Sequence, residues 1–453
     1  MVKTRLVASA ARAGLTLGAC LVGLVSVASA MTTSDRPASI LMWPKIVVNE
    51  ATDTVVDISN VSRNLTAAHC WMINANSHCA SSSSRAGEPC TEARECPLDG
   101  VSGFAACVPG WSEIDFELYI TPDQPLAWAA SEGLRPCRGT DCDQRGLAEH
   151  EFPLNTRGVC VVAGNPTGQS CNPDVPSSAN SCGGAGAKCV RAISNAGSAI
   201  PPVPEIPFIG AIKCVQYNPD TGVPEQGSAH NALIGHAAIT STGSIQVPGD
   251  PPPPPAPGED VQRYNAVGLL HLNDRGYSGT LKMDGDMYAK CPATLVLDHP
   301  FEGAPLLESD TIIGGGAATD ITLLPCGDDF LRQKPGQSVA QLLVINEYEQ
   351  RLSASKRVDC LYESLLSGID SSNPNRSIFS YKVQGTMIGQ TWIRGTGSAA
   401  TGHGLVGVAR SALGKYITPP DGNLGFNGFY GSAAAYNLQQ KADSSSSDSI
   451  IQP

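Results

Sequence analysis

Apolar and polar residues alternate with a period of two along much of this chain, and that period predicts β-strands. The clearest run is Trp111 to Ile120. Ile114, Phe116, Leu118 and Ile120 share one face, while Ser112, Glu113, Asp115, Glu117 and Tyr119 supply the polar side. Asp53 to Ile58 alternates in the same way, Asn60 to Asn64 is polar and turn-like, and Leu65 to Ile73 is extended. Further strands are predicted at Ala211–Tyr217, Ala232–Thr240, Val261–Leu272, Ala289–Leu297, Thr319–Leu324, Ser338–Asn346, Arg351–Leu361, Ile378–Ile393 and Gly404–Ala409. Short strands at this spacing argue for sandwiches rather than βαβ units.

Two stretches interrupt the pattern and divide the chain. Pro248 to Gly258 contains five consecutive prolines and reads as an extended, semi-rigid spacer. Across it runs a faint echo. Val55, Ile58 and Asn60 precede a polar turn and a strand carrying Cys70, as Leu343, Ile345 and Asn346 precede one carrying Cys360. A duplicated module would explain this. The expectation is therefore an all-β protein of two tandem β-sandwich-like modules, residues 31–247 and 259–435, with disulfide-rich loop inserts in the first. Residues 436–453, with Ser444 to Ser447, read as a disordered polar tail.

The first 30 residues change the picture from fold to compartment. Lys3, Arg5 and Arg12 precede an apolar run from Ala13 to Val27, and Ala28-Ser29-Ala30 is a cleavage site of small residues, so the segment reads as a signal peptide. No other run approaches a membrane span. The formal net charge is −12, and losing three basic residues with the signal takes it to about −15. Such a surface repels nucleic acid and anionic lipid.

Export gives the cysteines their meaning. Fifteen follow the signal segment, and twelve of those lie between Cys70 and Cys214. In an oxidising compartment this density predicts disulfides before metal, and no C-x-x-C pair exists. Two inserts, at about 77–110 and 136–189, carry most of them. Both are rich in Gly, Pro, Ser and Asn, so bridges must replace the apolar burial they lack. Cys70 is expected to bridge downstream, with Cys79 the nearest partner, and the odd total leaves one thiol over.

One short motif carries candidate chemistry. Leu65-Thr66-Ala67-Ala68-His69-Cys70 resembles the histidine signature of trypsin-like serine proteases, and Asp115 follows at about the family's interval to its orienting carboxylate. The resemblance implies His69 as general base and Asp115 as orienter in a serine endopeptidase. Against it, no G-D-S-G-G-P string follows. The nearest strings are Asn180-Ser181-Cys182-Gly183-Gly184 and Gly276-Tyr277-Ser278-Gly279. Asp115 also falls on the polar face of its strand, where the role demands burial. The plainer reading makes LTAAHC a piece of β-strand, with His69 beside a core and Cys70 in a structural bridge.

The remaining constellations are weaker. His230 and His236 lack a third ligand, so no metal or other cofactor is expected. Asp284-Gly285-Asp286 reads as a hairpin turn rather than a calcium loop. Gly314-Gly315-Gly316 has no lysine to make a phosphate cradle. Glu347 and Glu349, two apart, would share a strand face as solvated edge charge. The strings ILMWPKIVV, DTVVDISNVS, AHCW, VQRYNAVGL, TDITLLPC and LLVINEYEQRLSASKRVDC, over roughly Ile40 to Ile369, resemble a group of exported bacterial β-rich proteins of unknown function. That resemblance implies no activity and places AHC at the end of a β-hairpin. The functional expectation is an exported, non-enzymatic surface or extracellular protein that binds an unidentified ligand, or is structural. A carbohydrate-binding role would need Trp71, Trp111, Trp128 or Trp392 to line a groove.

Overall fold

The structure is a computed structural model that describes residues 34–90, 93–134, 158–162, 165–171, 188–191, 200–217, 231–241, 260–273, 279–304, 315–397, 400–417, 428–442 and 444–452. It is all-β, and its sheets are antiparallel apart from a single short parallel pairing. A central five-stranded sheet runs in the order Val267–Leu269, Ile40–Val48, Phe208–Tyr217, Thr66–Asn74 and Ser112–Ile120. One face packs on a four-stranded sheet of Asp260–Asn265, Leu233–Ser241, Thr52–Asn60 and Gln124–Ala129. Trp43, Cys70, Met72, Leu118, Ile212 and Cys214 from the first sheet meet Val56, Ile58, Trp128, Leu233 and Ile239 from the second. That is one sandwich.

A second sandwich lies in the later sequence. Its five-stranded sheet runs Arg351–Asp359, Gln337–Asn346, Ile388–Thr396, Thr294–Pro300 and Gln439–Gln440. It faces a four-stranded sheet of Tyr362–Leu365, Gly315–Pro325, Leu405–Ile417 and Gly428–Asn437. Leu295, Leu297, Ala340, Leu342, Val344 and Ile393 pack there against Ile321, Leu323, Leu405 and Ala409.

The central sheet is buried on its other face too, which explains strands that are apolar at nearly every position. Ile40, Met42, Trp71, Ile73, Ala211 and Val215 form a second core with Leu281, Met283, Tyr288, Leu324, Phe330, Val406 and Ile450. The two sandwiches thus share a continuous apolar wall. Parity along the first strand shows how the sequence achieves this. Leu41 and Trp43 face the first core, and so do Ile46 and Val48. The switch from odd to even comes at a bulge between Trp43 and Ile46. Pro44 cannot donate to the ladder and sits where the ladder is broken. The extra residue turns Lys45 toward the second sandwich. Its Nζ is bonded to Asp320 Oδ1 at 3.0 Å, Thr322 Oγ1 at 3.1 Å and Glu363 Oε1 at 2.7 Å.

Several expectations are corrected here. Residues 436–453 are not a tail: Asp448–Ile451 pairs with Thr280–Met283, and Ile450 is fully buried. Two isoleucines ending a polar run were enough to dock it. Cys70 bridges Cys214, its direct neighbour across adjacent strands, while Cys79 bridges Cys96 inside the first insert. There, with Cys90–Cys107, the bridges form a small core of their own. Thr52–Asn60 and Thr66–Asn74 lie in different sheets, so AHC is on an arch between layers rather than at the end of a hairpin. Arg351–Asp359, by contrast, pairs directly with Gln337–Asn346. The echo across the spacer is therefore one of turn chemistry. Asn60 and Asn346 each end a strand, and each side-chain oxygen accepts from the N–H two residues on. Glu347 and Glu349 sit in the second of these turns, not on a strand. His230 and most of the 136–189 insert lie outside the described residues.

Candidate functional site

His69 and Asp115 are brought together. They occupy neighbouring strands in a diagonal pair, since Trp71 is the residue opposite Asp115. His69 Nε2 lies 3.4 Å from Asp115 Oδ2, and Asp115 is two-thirds exposed. Nε2 has no hydrogen-bond partner among the described residues. In a catalytic triad the carboxylate holds Nδ1 and leaves Nε2 to meet the nucleophile; here the carboxylate stands at Nε2. The imidazole also stacks on Trp71 at 4.4 Å, and Trp71 on Phe330 at 4.5 Å with the rings 5° from parallel. The ring is the outer member of an aromatic stack between the two sandwiches.

The other residues singled out in the sequence divide cleanly. Trp71 and Trp128 are core residues, and Trp111 is half-buried beside Phe330. His236 is exposed, with Nδ1 3.6 Å from Asp57 Oδ1. Asp284 closes a tight turn, its Oδ1 accepting from the N–H groups of Asp286 and Met287. Trp392 lines an open cleft.

That cleft, of about 940 Å³, covers the outer face of the five-stranded sheet in the second sandwich. Strand parity builds its floor. Thr391 and Ile393 face inward, so Gln390, Trp392 and Arg394 face out. Register then sets two cross-strand rows. Ser355, Gln341, Arg394 and Thr294 stand side by side, and so do Ser353, Leu343, Trp392 and Val296. Lys441 closes one side, its N–H bonded to the Thr294 carbonyl at 2.9 Å and its Nζ 3.4 Å from the centre of the Trp392 ring. Trp392 is held from below by Nε1 donating to Gln390 Oε1 at 2.6 Å, and Gln390 donates in turn to Asp298.

The lining is chemically one-sided. Arg394, Lys441 and His403 lie among hydroxyls and an amide, and among the described residues no carboxylate lines the cleft. In a chain of net charge −12 this is a local basic surface with one aromatic plane. Its size suits a small oligomeric ligand. Sequence reading reached Trp392 but missed Arg394, Lys441, Gln341, Ser353 and Ser355. The period-two pattern of the Trp392 strand carried a usable signal, since Gln390, Trp392 and Arg394 form a polar and aromatic face opposite Thr391 and Ile393. Nothing local brings Lys441 to it from some fifty residues away.

In sequence comparison, no protein-family model and no curated protein matches this chain. Its functional reading therefore rests on its own geometry. Among the described residues no helix is long and apolar enough to cross a membrane.

Proposed function

We propose that this is an exported, non-enzymatic binding protein acting at the cell surface or outside the cell, and that the Trp392 cleft binds an acidic oligosaccharide. The observation that carries the reading is the cleft lining: an aromatic plane, two permanent cations and a row of hydroxyl and amide groups. Sugar rings stack on aromatic faces, hydroxyl and amide groups exchange hydrogen bonds with sugar hydroxyls, and Arg394 and Lys441 pair with carboxylates. A ligand carboxylate would draw Lys441 off the Trp392 ring and free that face for a sugar. The disulfides in the first sandwich and its insert support an oxidising, extracellular setting.

Titration of uronic-acid and neutral oligosaccharides against the purified protein, read by tryptophan fluorescence and calorimetry, tests this. Acidic ligands are expected to bind, with affinity falling as salt rises and lost in Trp392→Ala and Arg394→Ala. Equal binding by those variants would remove the cleft from the argument.

A serine-endopeptidase reading draws on the adjacency of His69 and Asp115. It requires a hydroxyl nucleophile at the imidazole. Fluorophosphonate labelling that disappears in His69→Ala would favour it over the binding reading.

A further inference from the structure

Lys213 is a lysine in an improbable place. It lies mid-strand in the central sheet, on the face that meets the second sandwich, and its side chain is 0% exposed. Nζ donates to the carbonyls of Pro325 and Cys326, the latter at 3.0 Å, and to Asp328 Oδ2. The Asp328 side chain is 2% exposed, and its Oδ1 accepts from the Gly336 N–H at 2.7 Å. A Cβ on residue 336 would stand 2.0 Å from the Gly327 carbonyl oxygen, so only glycine brings that N–H so close. A second buried acid shares the region. Asp448 is 5% exposed, accepts from the Gly404 N–H at 2.9 Å, and has an Oδ2 with no partner among the described residues.

We propose that Lys213 and Asp328 are joined by an intramolecular amide bond that forms within the folded protein and staples the two sandwiches together. A neutral amine has two N–H groups and one lone pair. With the Pro325 and Cys326 carbonyls taking those two N–H groups, the third direction at Nζ, along which it donates to Asp328 Oδ2, would carry the lone pair of the neutral amine. Nζ attacks Cγ and a C–N bond forms. Negative charge collects on Oδ1, where the Gly336 N–H already points. The C–Oδ2 bond then breaks. Oδ2 leaves as water with its own acid proton and one proton from the nitrogen, so an amine and a carboxylic acid give an amide and water with no other reactant.

Burial supplies the carboxylic acid this needs, since a closed apolar site favours the neutral form of a carboxyl. Burial pushes the Asp328 carboxyl above its ordinary pKa against the opposing pull of Lys213, and it does the same to Asp448. The other buried lysine shows the contrast. Asp320, the acid facing Lys45, is also bonded to Arg410 Nε at 2.6 Å. Lys45 and Arg410 together outweigh burial and hold its pKa below the usual range, so it stays an anion and a poor acceptor for an amine.

Intact-mass spectrometry of the denatured, fully reduced protein tests the bond. The chain is expected one water lighter than its sequence, and a tryptic digest should give one branched peptide carrying both Lys213 and Asp328. The full sequence mass, with the two residues recovered in separate linear peptides, would overturn the proposal. Lys213→Arg is expected to restore the missing water, and a variant still one water light would overturn the assignment equally. The wild-type measurement stands whether or not that variant folds.

Discussion

Replacing Cys70 and Cys214 together by alanine removes the bridge that closes the longest loop among the described disulfides. The two half-cystines are 144 residues apart, against 17 for each bridge of the first insert. If a bridge acts by limiting the unfolded chain, the loop-entropy relation gives about 5 kcal/mol for the first and about 3 kcal/mol for each of the others. Bridges nested inside the long loop shorten it, but the logarithm reduces that correction to a few tenths of a kcal/mol. Cys70 and Cys214 are opposite each other on strands already fixed in the middle of a five-stranded sheet, so the bond adds little order to the native state. Nearly all of its effect should lie in the unfolded ensemble. Guanidinium unfolding followed by tryptophan fluorescence suits the assay, because Trp43, Trp71 and Trp128 are all buried. The double alanine variant is expected to lose about 5 kcal/mol, a third or more of an ordinary domain's stability. A loss below about 2 kcal/mol, or one no greater than that of the Cys79/Cys96 double variant, would refute the chain-entropy argument.

His299 predicts an acid-sensitive second sandwich. Its Nε2 meets Thr391 Oγ1 at 2.8 Å and its Nδ1 the Pro300 carbonyl at 3.0 Å, and burial lowers its pKa to about 4 from 6.5. The folded state therefore favours neutral imidazole. That stability is fully present above about pH 6.5 and is lost as pH falls toward 4, amounting to about 3 kcal/mol. Unfolding midpoints measured from pH 7 to 4 should show this slope, and His299→Gln should flatten it. Lys45→Met leaves Glu363 without its cation and Asp320 with Arg410 alone, and should cost about 3–5 kcal/mol, read as a lower thermal midpoint. Cys360 is buried and unbridged, and burial raises its thiol pKa well above normal. It should react with a thiol reagent only after denaturant is added; prompt labelling of the native protein would contradict its placement.

The strands were legible because alternation is a property of single strands. Trp111 to Ile120 reads correctly down to the residues of each face: Phe116, Leu118 and Ile120 are buried, and Asp115 and Glu117 are exposed. Pairing between distant segments is not a local property. Sequence alone offered Cys79 to Cys70 because it is near, whereas the sheet offered Cys214 because it is opposite. The C-terminal strand was hidden by serines whose neighbours Ile450 and Ile451 give too short a pattern to register. The buried lysines were a missed signal of another kind. A lone lysine inside ILMWPKIVV or FIGAIKCVQY has no solvated face to point toward, so it demands a partner from another layer. The cleft was half legible: Trp392 could be named, but not the basic groups beside it.

Whether the two sandwiches unfold together follows from where Phe330 sits. The spacer and the separate sheets suggest two independent units, but the second core draws side chains from both, and Phe330 lies at its centre with 1% exposure. Its ring is stacked on Trp71 of the central sheet and is 6.3 Å from Trp111. Neither sandwich can lose the other without exposing that apolar wall, so the wild-type protein should melt in one calorimetric transition. Phe330→Ala removes a fully buried ring, which costs about 3–5 kcal/mol, and the stack contributes about 0.5–1.5 kcal/mol of that. Because the loss falls on the shared wall, the variant's transition should broaden or split, with the first sandwich and the second melting at different temperatures. Two resolved transitions already present in the wild type would show that the wall does not couple them. A Phe330→Ala protein melting as sharply as the wild type, only earlier, would show that Lys45, Lys213 and the rest of that core couple the sandwiches without the ring.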